Sequence, residues 1–244
     1  MSALRFGFGK PAIPLPPAKD YSHGLSGFGM MLNDRISDCT CAAYYHARQV
    51  WSYNSTGKMM TEPDSDVEKL YAWVTGYKPK AKAGNPLENP TDRGAKVQDI
   101  LRYLYRTGAP LGSTGSSRDK ILGYVEVDPS IPADMKRTIF ECGVAYIGFV
   151  VPAGWIESSP PRLWDAKPGD PRSKEGHSVI LAGYDTDGYV AISWGEKYKM
   201  TSAFVSEFVD EAYAIADRKW FNHTGQLPLG MDRGQLETIM QHLL

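Results

Sequence analysis

The chain has 244 residues, 42% of them hydrophobic and 23% charged, with 27 Lys+Arg against 28 Asp+Glu. Such a composition excludes a disordered chain, which lacks the apolar residues needed to offset the entropy of ordering. A net charge of -1 gives no general attraction to nucleic acid or anionic lipid, and three cysteines are too few for a disulfide-stapled secreted fold.

Residues 1–29 form a Pro/Gly-rich N-terminal arm, with Pro11, Pro14, Pro16 and Pro17 followed by Gly24, Gly27 and Gly29. Proline fixes φ and removes a donor, so this stretch is extended and then looped. Met1 to Lys10 lacks a cationic head followed by an apolar core, which argues against a signal peptide. A first helix is predicted from Asp38, a good N-cap residue, with Cys39, Ala42, Ala43, His46, Ala47 and Val50 at helical spacing. A second is predicted from Asp66 to Gly76 and a third from Gly94 to Tyr105, stopped by Gly108. Residues 78–91 and 112–117 read as loops, and the latter lacks the Gly-Lys-Ser/Thr ending of a phosphate loop.

After a short helix over 133–142 the pattern turns to strands. Val144–Val151 is a continuous apolar run of strand length, too short to span a membrane. Residues 152–175 are Pro-rich and read as a long surface loop that could wall a cleft. Ser178–Tyr184 and Tyr189–Trp194 flank the turn Asp185-Thr186-Asp187-Gly188, a hairpin signal. Thr201 is predicted to cap a helix running to Val209, and Ala212–Ala216 to form a last strand. The tail carries an amphipathic helix, with Leu236, Ile239, Met240 and Leu243 opened by Asp232. Helices first and strands second is the order of an α+β fold.

Cys39 is the residue with the clearest chemical promise. At a helix start the macrodipole and free N–H groups favour a thiolate, the form that acts as nucleophile. Asp38 opposes this, because a neighbouring carboxylate raises a thiol pKa. A cysteine nucleophile also needs a base. His46 lies two helical turns away, about 10 Å by helical rise, too far for proton transfer. His23 sits in a Gly-rich loop, and His223 and His242 lie in the tail. His177 follows Gly176 and leads an apolar strand, where a rigid group can be held at a domain seam. Cys41 points away from Cys39 on a helix, and Cys142 reads as a core residue. No spacing supports a metal cluster, and nothing calls for a cofactor.

Three segments together carry a resemblance: Asn33-Asp34-Arg35-Ile36-Ser37-Asp38-Cys39-Thr40-Cys41-Ala42, Gly176-His177-Ser178-Val179-Ile180-Leu181-Ala182-Gly183-Tyr184-Asp185, and Ile192-Ser193-Trp194-Gly195. They resemble the papain-like cysteine peptidase superfamily, and most of all its divergent phage and prophage members, to which Asp92-Arg93-Gly94 also conforms. The resemblance implies a two-lobed fold. An N-terminal helical lobe (about 30–142), with its central helix starting at the Cys, faces a C-terminal antiparallel β lobe (about 143–218). Together these form the domain 30–218, with 219–244 a C-terminal extension. It implies Cys39 as nucleophile, His177 as base, and Asn33, six residues before Cys39, as an oxyanion donor in place of the family's Gln. The usual Asn that orients the histidine is missing. Alignment on Ser-Trp-Gly puts Ile192 there, whereas counting sixteen from the histidine puts Ser193; strand alternation lets only one face His177, and Ser193 has the hydroxyl to do so. Trp194, Asp92 and Gly94 are cleft candidates.

The implied activity is hydrolysis of peptide or isopeptide bonds, without a metal or cofactor. The alternative is a weak or inactive papain-like fold serving as a component of a phage particle. Its partners would then be phage structural proteins or a second copy, met through the arm and the C-terminal helix. The implied location is host cytoplasm or virion.

Overall fold

A computed structural model of the chain describes residues 14–80, 89–112, 116–156 and 158–220. The predicted tail helix and the first part of the arm lie outside these residues, as do parts of the loops 78–91 and 112–117. Three helices come first: α1 (Cys39–Thr56), α2 (Asp64–Thr75) and α3 (Val97–Arg106). A small hairpin, β2 (Ala109–Leu111) with β3 (Ser117–Asp119), separates them from the sheet. The sheet has the order β4-β10-β5-β7-β8-β9-β6. Its strands are β4 (Gly123–Val127), β5 (Ala145–Pro152), β6 (Leu163–Trp164), β7 (Arg172–Tyr184), β8 (Gly188–Ser193), β9 (Glu196–Thr201) and β10 (Val209–Ala216), with α4 (Pro132–Cys142) and α5 (Ser202–Phe208) between them. All neighbours pair antiparallel except β6 with β9.

Both faces of this sheet are covered, and the period-2 alternation of side chains decides which residue goes where. Tyr146, Ile180, Ala182, Ile192, Tyr213 and Ile215 join the core built around α1, α2 and α3. Their sequence neighbours Ala145, Ile147, Val179, Leu181, Ala191, Ala212 and Ala214 join a second core with α4 and α5. Burial on both sides explains why β5 reads as an unbroken apolar run instead of alternating. Strand β4 of the sheet and its following helix α4 precede residue 143, so part of the sheet assembly lies upstream of where the strand-rich sequence starts.

The central helix α1 is buried on nearly all sides, from Thr40 to Ser52. Among its polar members, Arg48 pairs with Glu62 at 3.0 Å and with Asp119, and Gln49 donates to the Phe28 carbonyl at 2.8 Å. Two hydrogen bonds between residues distant in sequence fasten it to the other elements. Tyr146 Oη donates to the Thr40 carbonyl, and Trp51 Nε1 donates to the Cys142 carbonyl at 2.7 Å. The arm is built into the domain over its described part. Its strand β1 (Lys19–Asp20) pairs with β7, and Leu25, Phe28 and Met31 enter the core.

Several sequence expectations need correction. The segment 152–175 is not loop throughout, since β5 runs to Pro152, β6 forms at Leu163–Trp164 and β7 begins at Arg172. Strands β4 and β9 were not anticipated, although Tyr198 and Met200 alternate with polar residues in β9. Helix α3 starts at Val97, because Gly94 adopts φ 72 and Lys96 is still extended. No helix among the described residues is long and apolar enough to cross a membrane.

Candidate active site

Cys39 is the first residue of α1 and is half-buried. The backbone amides of Ser178, Thr40 and Cys39 itself address its sulfur. Thr40 and Cys39 contribute the open end of a helix, where unsatisfied N–H groups favour negative charge. Ser178 belongs to β7, so the sulfur lies where the helix end meets the sheet. Burial pushes the thiol up to about 11; the amides oppose this shift, and Asp38 adds to it.

His177 lies within β7, not at its end. The strand is solvent-facing from Arg172 to Gly176 and enters the protein at His177, which is 8% exposed. Register places Phe149 of β5 opposite His177 and Gly148 opposite Ser178. The imidazole is held on three sides. Its Nε2 lies 2.8 Å from Ser193 Oγ, the Trp194 ring stacks on it at 4.3 Å and 8°, and Phe149 meets it edge-on at 5.5 Å and 87°. With Nε2 engaged by Ser193, Nδ1 is the nitrogen available to a reacting group. Burial lowers the imidazole pKa to about 3, and His46 adds to the lowering.

The turn after β8 explains how Trp194 reaches that position. Ser193 and Glu196 pair across a two-residue hairpin whose central residues, Trp194 and Gly195, have φ 46 and φ 74. Positive φ at both positions is what tight hairpins of this hand require. Glycine adopts it freely, whereas a side-chain-bearing residue is strained by about 1–2 kcal/mol. Gly195 also bridges to Gly29, and a Cβ there would meet the Gly29 carbonyl carbon at 3.1 Å. Gly29 in turn accepts from His46 Nε2 at 3.1 Å. His46 therefore braces the segment at Gly29 that backs the turn, two steps from His177. Alternation sends Ile192 into the first core and Ser193 toward the imidazole.

Cys39, His177, Trp194, Asn33, Asp92 and Gly94 all line one cleft of about 990 Å³. Asn33 sits in the loop before α1, where Met31 and Leu32 adopt φ 56 and φ 66. Asp92 does more than line the wall. Its carboxylate accepts the Ser37 N–H at 3.0 and 3.2 Å and the Tyr71 hydroxyl at 2.7 Å, and that hydroxyl accepts the Gly94 N–H at 2.9 Å. Asp92 thus pins the loop leading into Cys39 to the segment before α3.

Asp38 behaves differently from the sequence expectation. It occupies the N-cap position, yet its side chain makes no capping hydrogen bond. The remaining cysteines, Cys41 and Cys142, are buried and free. Among the described residues no group of three His, Cys, Asp or Glu could hold a metal ion.

Sequence reasoning missed part of the cleft. Gly148, Phe149, Asp210 and Glu211 line it from β5 and β10, and only sheet order sets β5 beside β7 and β10 beside β5. Gly148 pairs with Glu211, and a Cβ on Gly148 would meet Glu211 Oε1 at 2.7 Å, so the glycine makes room for that carboxylate. No single-sequence signal marks such a cross-strand pair. Of the Pro-rich stretch 152–175, only its last part, Lys174 and Glu175 in β7, lines the cleft among the described residues. Trp194 lines it, whereas Trp51 and Trp164 fill cores, Trp155 stacks on Phe204, and Trp73 is exposed under Arg118.

Solved structures with the same architecture are cysteine proteases. Xylellain from Xylella fastidiosa matches with TM-score 0.63 at 16% identity, over 84% of this chain and 87% of that one. The fold is papain-like. Digestive procathepsin L 3 of Tenebrio molitor matches at TM-score 0.61 and 10% identity, over 88% and 73% of the two chains. The Carica candamarcensis protease CMS1MS2, solved in complex with E-64, matches at TM-score 0.53 and 14% identity, over 83% and 99%. No protein-family model matches the chain, and no curated protein does.

Proposed function

We propose that this papain-like protein is a thiol hydrolase acting on peptide or isopeptide bonds of a protein or peptide substrate. The observation that carries the reading is the imidazole of His177. It is held by Ser193, Trp194 and Phe149 in the same cleft as Cys39, whose sulfur is addressed by the amide of the next β7 residue.

Burial raises the thiol and lowers the imidazole, so the resting pair is neutral thiol and neutral imidazole. Nε2–H donates to Ser193 Oγ, which leaves the Nδ1 lone pair to take the thiol proton as the sulfur attacks the substrate carbonyl carbon. The C–S bond forms, the carbonyl oxygen becomes an oxyanion, and Asn33 with the Cys39 N–H donates to it. The C–N bond then breaks, and the imidazolium returns its proton to the departing amine. Water, deprotonated by the same imidazole, releases the acid from the thioester. Trp194, stacked on the ring at 8°, fixes the plane of the imidazole and keeps water from that face.

E-64, seen with the plant protease of the same fold, is a direct test. The expected result is a mass increase on Cys39 alone. A folded protein in which Cys39 stays unlabelled overturns the reading. Placement in a phage particle or host cytoplasm draws on the sequence resemblance, as does the inactive structural alternative. Detection of the chain in purified particles, with no labelling by E-64, would favour that alternative.

A further inference from the structure

Asp38 is fully buried, and neither carboxylate oxygen has a hydrogen-bond partner among the described residues. Among the described residues its own backbone amide is the only donor that approaches it, and the charged groups that face it are acids. These are Asp34 in the loop before α1, Asp64 at the start of α2 and Asp92 before α3. The other titratable groups that sense it are Cys39, Cys41 and Tyr77. Asp92 shows the contrast, since it collects the Ser37 N–H and the Tyr71 hydroxyl. An ionised carboxylate buried with no cation and no donor beyond its own amide is heavily disfavoured, and the group takes up a proton instead. Where two carboxyls lie near one reactive centre, their surroundings assign them different protonation states.

We propose that Asp38 is a protonated, uncharged carboxylic acid in the resting protein and acts as a positioning residue for the charge of Cys39. While the proton is held, no anion adjoins the sulfur, and the helix-end amides can stabilise a thiolate. Loss of the proton puts a negative charge one residue from the sulfur and suppresses the thiolate. Burial raises Asp38 to about 8, below the thiol, so on raising the pH Asp38 ionises first. The Cys39 thiol then becomes harder to ionise in the range where an ordinary thiol gains reactivity. Asp38 thereby sets an alkaline limit on the nucleophile. The consequence for catalysis rests on the hydrolase reading; the protonation state does not.

The test is the rate of Cys39 alkylation by iodoacetamide from pH 5 to 10, in the full chain and in Asp38→Asn, which mimics the protonated acid. The two profiles should coincide below about pH 7, and the variant should react roughly tenfold faster above about pH 9, one pKa unit of thiol shift being tenfold. A ratio independent of pH overturns the proposal, since a merely structural change scales the whole profile. Chemical unfolding adds an arm that needs no thiol chemistry. Relative to Asp38→Asn, the wild-type folding constant should fall by up to tenfold per pH unit between about pH 4 and pH 8 and level off beyond. A flat difference overturns the proposal. If Asp38→Asn does not fold, the carboxyl carbon shift of Asp38 in the wild-type chain decides: a midpoint in the ordinary carboxylate range overturns the proposal, and one several units higher supports it. Because neither unfolding nor the carbon shift requires peptidase activity, failure of the hydrolase reading remains distinguishable from failure of this one.

Discussion

Two histidines in this protein are buried to a similar depth and end in different chemical situations. His46 is 1% exposed and His177 is 8% exposed. Burial lowers both imidazoles, to about 4 and about 3. His46 spends Nε2 on the Gly29 carbonyl, packs edge-on to Phe28 and lies in the body of α1. His177 spends Nε2 on a side-chain hydroxyl, is covered by a parallel indole and lines the cleft. A perturbed pKa alone would nominate both as functional. The difference lies in access: one ring braces the segment at Gly29, and the other lines the cleft with its Nε2 held by Ser193.

The sharpest way to break this contrast is to remove each ring in turn. His177→Ala should lower kcat/KM for a cleaved peptide by about 10²–10⁴-fold, the range of a general base. His46→Gln, which keeps a donor for Gly29, should stay within a few-fold of wild type. Steady-state kinetics on both folded variants checks this. Equal losses would mean that His46 takes part in the chemistry, or that His177 does not.

Next in size is an acid effect on stability, and here His46 is the informative ring. Its folded pKa lies below the free value of 6.5, so the neutral form is the one the fold accepts. The stability it contributes is fully present above about pH 6.5 and is lost as the pH falls toward 4. The shift corresponds to about 3 kcal/mol at 1.36 kcal/mol per unit. Urea unfolding of wild type and His46→Gln between pH 4 and 7.5 should show the variant losing less on acidification. Parallel curves would show that His46 is not held neutral.

Ser193→Ala probes the partner of the catalytic candidate. Loss of one hydrogen bond to the ring, worth about 1 kcal/mol, should reduce kcat/KM by roughly five- to tenfold with KM little changed. Ser193→Asn supplies a firmer amide and is expected to recover some of the loss if the pocket admits it. A Ser193→Ala enzyme with full kcat/KM would show that the tautomer is set by packing alone.

How far these features were legible in the sequence depends on whether they are local or cross-strand. The start of α1 at Cys39, the αL stop at Gly76 and the cap of Thr201, which accepts from the Phe204 N–H at 3.0 Å, follow from signals a few residues long. So does the Asp185–Gly188 turn, where the Asp185 carboxylate accepts the Asp187 and Gly188 amides. The choice between Ile192 and Ser193 reduces to strand alternation, which is also local. The acidic wall of Asp210 and Glu211 is not, because it depends on β10 being inserted next to β5. Asp38 shows the opposite failure. Its residue type is a good cap by propensity, but its carboxyl is buried, and only the packed structure reveals that no side chain among the described residues meets it with a hydrogen bond.

The smallest expected effect concerns Trp194, where strain and stacking oppose each other. Its φ of 46 costs about 1–2 kcal/mol, and its ring contact with His177 returns about 0.5–1.5 kcal/mol. Trp194→Asn keeps a residue that tolerates the left-handed conformation and removes the ring. Stability should therefore change by no more than about 1 kcal/mol. The imidazole should nevertheless move, because water reaches the face that the indole covers. Its titration, followed by the ring proton shifts of His177, should rise from about 3 toward the ordinary histidine range, while that of His46 stays in place. If both rings titrate as in the wild type, the indole is not what keeps His177 dry, and the contrast between the two histidines rests on Ser193 and Phe149 alone.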